Sequence, residues 1–409
     1  MAEAKPDRIR SLDLIRGVAV LGILAVNIAG FSGPAVSTLS PNFPGAGTAA
    51  DAWAFAAVFL LIEGKMRALF SILFGASMLL FIERRDATGA FGDLLQLRRL
   101  GWLALFGLAH FYLFWWGDIL FLYAVAGTLA LFMREMPVKR LVLTGLVIFA
   151  AWHGAGAVLS LSDIHEEENV RLGVASPAEI RSNTQALTNM RQGATRDLRE
   201  YDSGFVELIE AKLTRDPFKP LRIVLLSMGE TLPLMLFGMA LFRAGFFSGA
   251  WNRKVLVRIA AAGIVVGGAM TLAMLAWAWP RQFPVRAMGH IVQYWCAPPH
   301  LAMALGYAAL LVLFTRPVSQ SWLGARLTAA GRMAFSNYLL TSVAMTGLFN
   351  GWGLGLAGRY GHAAQLVFVA GAWAVMLVWS ELWLRRFRQG PLEWAWRSLT
   401  EGRMQPFRR

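Results

Sequence analysis

The residues best suited to chemistry are a histidine and an acid placed eight positions apart. His110 lies about ten residues into an apolar run, and Asp118 follows at the short turn Trp115-Trp116-Gly117-Asp118. Imidazole titrates near neutral pH and is a common general base. Eight residues of unbroken helix rise about 12 Å, too far for a direct hydrogen bond. A turn at Gly117 would fold Asp118 back towards the imidazole. The competing reading is a packing histidine whose hydrogen bonds are met.

Other ionisable residues interrupt apolar stretches, where each needs a counter-group or a wet cavity. Asp13 and Arg16 are three apart and share a helix face. They either pair with each other or leave Arg16 to hold an anionic head group or phosphate. Glu63, Lys65 and Arg67 mark a break in the second apolar run, as a charge-compensated interruption or as the lining of a cavity. Glu230, in Ser227-Met228-Gly229-Glu230-Thr231, is the leading titrating carboxylate or partner for a buried cation, with His153 expected at similar depth. Gly353-Leu354-Gly355-Leu356-Ala357-Gly358 spells G-x-G-x-x-G, but no strand precedes it, so a loop between helices is expected. No nucleophile elbow and no histidine pair at zinc-ligand spacing is present. No metal site is expected.

The elements that position these groups follow from composition. Of 409 residues, 56% are hydrophobic and 16% charged, and mean hydropathy is +0.50. A water-facing surface needs more charge than that, so the expected solvent is a bilayer. The single cysteine, Cys296, excludes an internal disulfide. Ten apolar runs approach the roughly 20 residues a span requires: Leu12–Phe31, Trp53–Ile82, Leu100–Trp116, Asp118–Met133, Leu141–Leu161, Leu221–Phe242, Val255–Trp279, Pro298–Thr315, Met333–Phe349 and Ala364–Leu384. The first run is expected to be a retained helix, not a cleaved signal.

Net charge is +14. Residues 162–220 hold eleven acids and eight bases, so the remainder holds 14 acids and 31 bases. Those bases cluster in alternate connections: Arg8 and Arg10, Arg84 and Arg85, Lys139 and Arg140, Arg253 and Lys254, Arg326 and Arg332, Arg385 and Arg386. That alternation is the positive-inside pattern, and it argues against nucleic acid as the partner. The expected fold is an all-α membrane protein of roughly ten transmembrane helices in the inner membrane, both termini cytoplasmic. A periplasmic helical insertion would lie between helices five and six. The chain divides into a membrane half, 1–161, the loop 162–220, and a second membrane half, 221–409. Ser176-Pro177-Ala178-Glu179 in the loop is a capping signal, and a second loop helix is expected over Thr195–Lys212.

Three groups of residues together resemble the YeiB-like family of bacterial integral membrane proteins. They are Ser11-Leu12-Asp13-Leu14-Ile15-Arg16-Gly17 with Asn27, Gly64-Lys65-Met66-Arg67 and Leu69–Gly75; His110 with Trp116-Gly117-Asp118 and Tyr123; and Gly331-Arg332 with Asn337-Tyr338, Ser380, Trp383–Phe387 and Gly390–Trp394. The last group falls in the family's C-terminal domain of unknown function. The first helix is also similar, more remotely, to transmembrane acyltransferases that carry acyl groups from a cytoplasmic donor to an external acceptor. One branch of those has histidine where this chain has Asn27, and the loop Ser32–Asp51 contains none. The resemblance therefore passes the base's role to His110.

It implies an acyl-CoA or acyl-lipid donor, Arg16 holding its anionic part, and Asp118 and Asn27 orienting groups near the outer side. Transport of a small molecule or lipid is the second reading, with Glu230 and Glu63 along the path. The third is a non-catalytic membrane sensor or partner protein that docks another protein through the loop. Asn337, with Asp13, Lys65 and Arg67, completes the candidate binding set. Membrane lipids are expected partners, and a homo-oligomer is left open.

Overall fold

The computed structural model describes residues 9–409, so Arg8 lies outside the described residues. Among them the chain is helical: α1 (Arg10–Ser32), α2 (Ala49–Leu61), α3 (Lys65–Asp86), α4 (Gly92–Leu113), α5 (Leu120–Phe132), α6 (Val138–Leu159), α7 (Leu161–Leu172), α8 (Pro177–Tyr201) and α9 (Phe205–Arg215). Then come α10 (Lys219–Arg243), α11 (Arg253–Ala278), α12 (Val285–His290), α13 (Ala297–Gln320), α14 (Trp322–Arg332), α15 (Ala334–Phe349), α16 (His362–Arg386) and α17 (Pro391–Glu401). Seven helical stretches are long and apolar enough to cross a membrane: α1, α2–α3, α6–α7, α10, α11, α13 and α16. The other three expected runs coincide with α4, α5 and α15. Of these, α5 has only 13 residues and α15 only 16, while α4 carries Arg98 and Arg99.

Burial separates an axis from a periphery. The most apolar stretch of α1 is 78% buried, against 28% for α6–α7 and 22% for α11 and α16. The outer helices expose Leu143, Val147, Val265, Leu272, Val367 and Val375. Helices whose backbone bonds close internally can present such faces to hydrocarbon. Around α1 pack α3, α13, α14, α15 and α16, while α10 packs on α3, α5 and α6. The two expected halves therefore share one core.

Gly17 on α1 and Gly331 on α14 set a close crossing. A Cβ on Gly17 would overlap the Leu327 carbonyl, and one on Gly331 the Asp13 carbonyl. At Gly64, between α2 and α3, φ is +70°, a conformation glycine adopts without penalty, and a Cβ there would overlap the His300 ring.

The insertion α7–α9 departs from expectation in one respect. The Ser176–Glu179 capping box forms as the local sequence dictates, but no single helix covers Thr195–Lys212. Helix α8 runs through to Tyr201, and Gly204 restarts the chain as α9, its N–H donating to Glu207 at 3.0 Å. Arg286 ties the insertion down by donating to Glu166, Asn183 and Asp163 at 2.6, 2.8 and 3.1 Å.

Candidate functional site

Helix α4 stops where the sequence places Trp115-Trp116-Gly117. The His110 carbonyl accepts from the Phe114 and Trp115 N–H groups, and the Lys212 amine donates to the Phe111 and Phe114 carbonyls at 3.1 and 3.0 Å. A cation at a helix C-terminus satisfies carbonyls that lack intrahelical partners. The reversal brings Asp118 back against α4, where one oxygen accepts the Phe121 N–H and starts α5. The other lies 2.8 Å from His110 Nδ1. Both residues are buried, at 2% and 5% exposure. A carboxylate on Nδ1 holds the proton there and leaves Nε2 as the free base. That Nε2 is buried without a hydrogen-bond partner.

Tyr338 stands beside the pair, its ring 5.3 Å from the imidazole. It also lines a cavity of about 160 Å³ reaching towards the face that carries the N-terminal end of α1. Arg16, Arg99 and Arg332 line the same cavity, opposite Phe70, Phe74 and Leu103. Arg16 is held by Asp13 at 3.1 Å and Ser77 at 2.8 Å. Arg99 stacks over Phe81 and Trp396, 4.8 and 4.2 Å from the ring centroids, and is set among the like charges of Arg16, Arg85 and Arg397. Glu393 is spent on the Phe335 and Ser336 N–H groups and the Ser336 hydroxyl. Gln96, 1% exposed, leaves its Oε1 without a partner. Cationic at one end and aromatic along its wall, the cavity suits an amphiphilic anion.

A second cavity, of about 90 Å³, lies on the face of the insertion. Phe111, Phe114, Trp116, Tyr201 and Lys212 line it. Burial first, then the like charge of Lys219, push the Lys212 amine down to about 7, with Glu200 opposing. His110 lines neither cavity; Tyr338 and Phe111, its neighbours, face one each.

The Glu63 break is not closed by its own sequence neighbours. Arg67 pairs with Glu230 at 3.1 Å, and the Lys65 amine donates to the Phe59 carbonyl at 2.6 Å. Glu63 is left without an ion pair among the described residues. His153 and His300 are buried near this cluster, and both ring nitrogens of His300 are unpartnered.

The remaining expected residues are scattered. Asn27 is half-buried, and its side chain makes no hydrogen bond among the described residues. Asn337 is consumed by packing: it donates to the Ala330 carbonyl and Ser380, and accepts from Trp379. Tyr338, Arg99, Gln96 and Lys212 were not singled out from the sequence as site residues. Of these, Tyr338 carried a signal, as a member of the third group of residues that resembles the family.

A family model described as "Protein of unknown function (DUF418)" matches residues 241–403. The chain is 31% identical to the uncharacterized protein YeiB of Escherichia coli (strain K12), over 95% of each chain. It is also 31% identical to the uncharacterized protein YxaH of Bacillus subtilis (strain 168), over 98% of this chain and 96% of that one. An uncharacterized 39.9 kDa protein of Bacillus acidopullulyticus is 25% identical over 98% and 96%. No solved structure matches.

Proposed function

The chain belongs to the YeiB-like family, and from that premise we propose that it transfers an acyl group across the inner membrane, with His110 as general base. The carrying observation is the buried His110–Asp118 pair, whose Nε2 is the one imidazole position left for a substrate proton. The donor, an acyl-CoA or acyl lipid, seats its anionic part on Arg16 and Arg99 and its chain along Phe70 and Phe74. The acceptor, a hydroxyl or amine, enters from the cavity under the insertion. Its oxygen or nitrogen attacks the acyl carbonyl as Nε2 takes its proton. The bond to the donor's leaving group then breaks, and that group recovers the proton. Tyr338 separates the imidazole from the donor cavity, so its ring must swing aside for the two to meet.

The ten-span topology belongs to the same proposal. Arg84, Arg85, Lys139, Arg140, Arg253, Lys254, Arg385 and Arg386 sit at helix ends that alternate with the insertion side. The basic face is then cytoplasmic and the insertion periplasmic.

The decisive experiment is mass spectrometry of whatever co-purifies with the protein, followed by transfer assays in nanodiscs with that donor. His110→Ala should lower turnover about 100-fold or more. Near-normal turnover in a folded His110→Ala protein would overturn the proposal. Transport is the second reading, favoured by the Glu63, Arg67 and Glu230 cluster. It predicts proton-gradient-dependent uptake with no covalent product.

A further inference from the structure

A narrow crevice between α1, α2 and α16 ends on Glu63, remote from the His110 pair. Three polar side chains on its wall, Thr38, His362 and Gln365, have their hydrogens committed elsewhere. The Thr38 hydroxyl donates to the Ala35 carbonyl at 2.7 Å. His362 places Nε2 3.1 Å from the Ser37 carbonyl, an acceptor only, so Nε2 carries the proton and the neutral ring keeps Nδ1 bare. The Gln365 amide nitrogen donates to the Tyr360 carbonyl, which fixes the orientation of the group. Its Oε1 is buried and has no partner, on a residue 4% exposed. Glu63 also lines the crevice. The cations beside it are engaged with Glu230 and with the Phe59 carbonyl. Thr38, His362 and Gln365 thus offer this cavity acceptors and no donor, and Glu63 adds a carboxyl group to its wall.

A buried acceptor left unmet costs about 1–3 kcal/mol, so the occupant of such a crevice brings the hydrogens. The Phe55 and Phe59 rings complete its walls. The cavity is about 30 Å³, room for one or two water-sized atoms. Lys65 and Arg67 follow Glu63 towards the basic face, and fixed positive charge there bars a cation from passing further. The crevice is therefore a terminal site and not a conduit.

We propose that the crevice lined by Thr38, Glu63, His362 and Gln365 is a binding site for a small cation that carries its own hydrogen-bond donors, ammonium or methylammonium. Ammonium brings only donors to these acceptors. An alkali ion would need a fuller shell of oxygen ligands than this crevice supplies. The proposal is independent of acyl transfer.

The test is a titration of the full chain in nanodiscs, followed by calorimetry and by the thermal unfolding midpoint. The added salts are ammonium chloride, methylammonium chloride, potassium chloride and choline chloride. Ammonium and methylammonium should bind saturably and raise the midpoint, while potassium should act no differently from choline. Glu63→Gln should raise the half-saturating ammonium concentration about tenfold or more, because a charged acceptor is lost. Gln365→Leu should raise it several-fold with the Arg67–Glu230 pair untouched. If Glu63→Gln does not fold, the wild-type salt series and Gln365→Leu decide. An ammonium response equal to that of choline would overturn the site, as would binding unaffected by Gln365→Leu. Potassium binding as well as ammonium would overturn the donor-bearing ligand.

Discussion

His110 and Asp118 are eight residues apart in the chain and 2.8 Å apart in space, because α4 ends between them. One carboxylate does two things: it fixes the imidazole through Nδ1 and caps α5 through the Phe121 N–H. The helix break and the proposed base are therefore one structural unit.

Asp118→Asn tests that unit. The amide keeps the size of the side chain but removes the charge that holds Nδ1–H in place. Acyl transfer should fall about 10–100-fold, the usual cost of losing an orienting partner. The α5 cap survives through the amide oxygen, so the thermal midpoint should change little. A large loss of stability with normal specific activity would make Asp118 a structural residue only.

Asp13 and Arg16 pair within α1 at 3.1 Å, with side chains 9% and 25% exposed. Removing one side chain takes from the other an opposite charge in a partly buried setting. Arg16→Ala should cost roughly 1–3 kcal/mol, while Asp13→Ala/Arg16→Ala should cost less than the sum of the single variants. Denaturant titration in detergent measures both. If the singles add, the pair contributes nothing and Arg16 is held for another purpose.

What could be read beforehand depended on distance along the chain. The apolar runs reappear as helices because hydropathy is local, and the Ser176–Glu179 box formed because its partners are three residues apart. The Asp118 fold-back was legible only as a condition on Gly117. Arg67 and Glu230 were each singled out, yet their pairing joins α3 to α10 across 163 residues, and nothing near either residue encodes it. Gln96 is an ordinary polar residue in a helical stretch, and Tyr338 was legible only as a member of the third group that resembles the family. Only the cavity they share gives them meaning. The insertion helix was misjudged because Gly204, one glycine among 40, restarts the chain.

Lys212 gives a pH dependence with a definite sign. Its amine falls to about 7 in the folded protein, chiefly through burial, against about 10.4 for an unfolded lysine. Between those values the unfolded state holds the extra proton, so stability rises as pH rises from about 7 to about 10. Thermal midpoints over that window should climb in the wild type and be flatter in Lys212→Met. A parallel climb in both proteins would show that another group is responsible.

The crossing of α1 and α14 leaves no room for a side chain, and two of the arginines that line the cavity flank it. Arg16 precedes Gly17, and Arg332 follows Gly331, directly in sequence. A methyl on either glycine would meet a backbone carbonyl of the facing helix, which cannot rotate away as a side chain can. The helices must then separate, and overpacking of this kind costs roughly 1–3 kcal/mol. Gly331→Ala should therefore lower the unfolding midpoint and also loosen the cavity, so that less of the co-purifying amphiphile is retained. Gly268 on α11, where a Cβ would meet nothing, is the control. Gly268→Ala should retain the amphiphile and be as stable as the wild type or more so. Equal retention in Gly331→Ala would show that the crossing does not set the position of the two guanidinium groups.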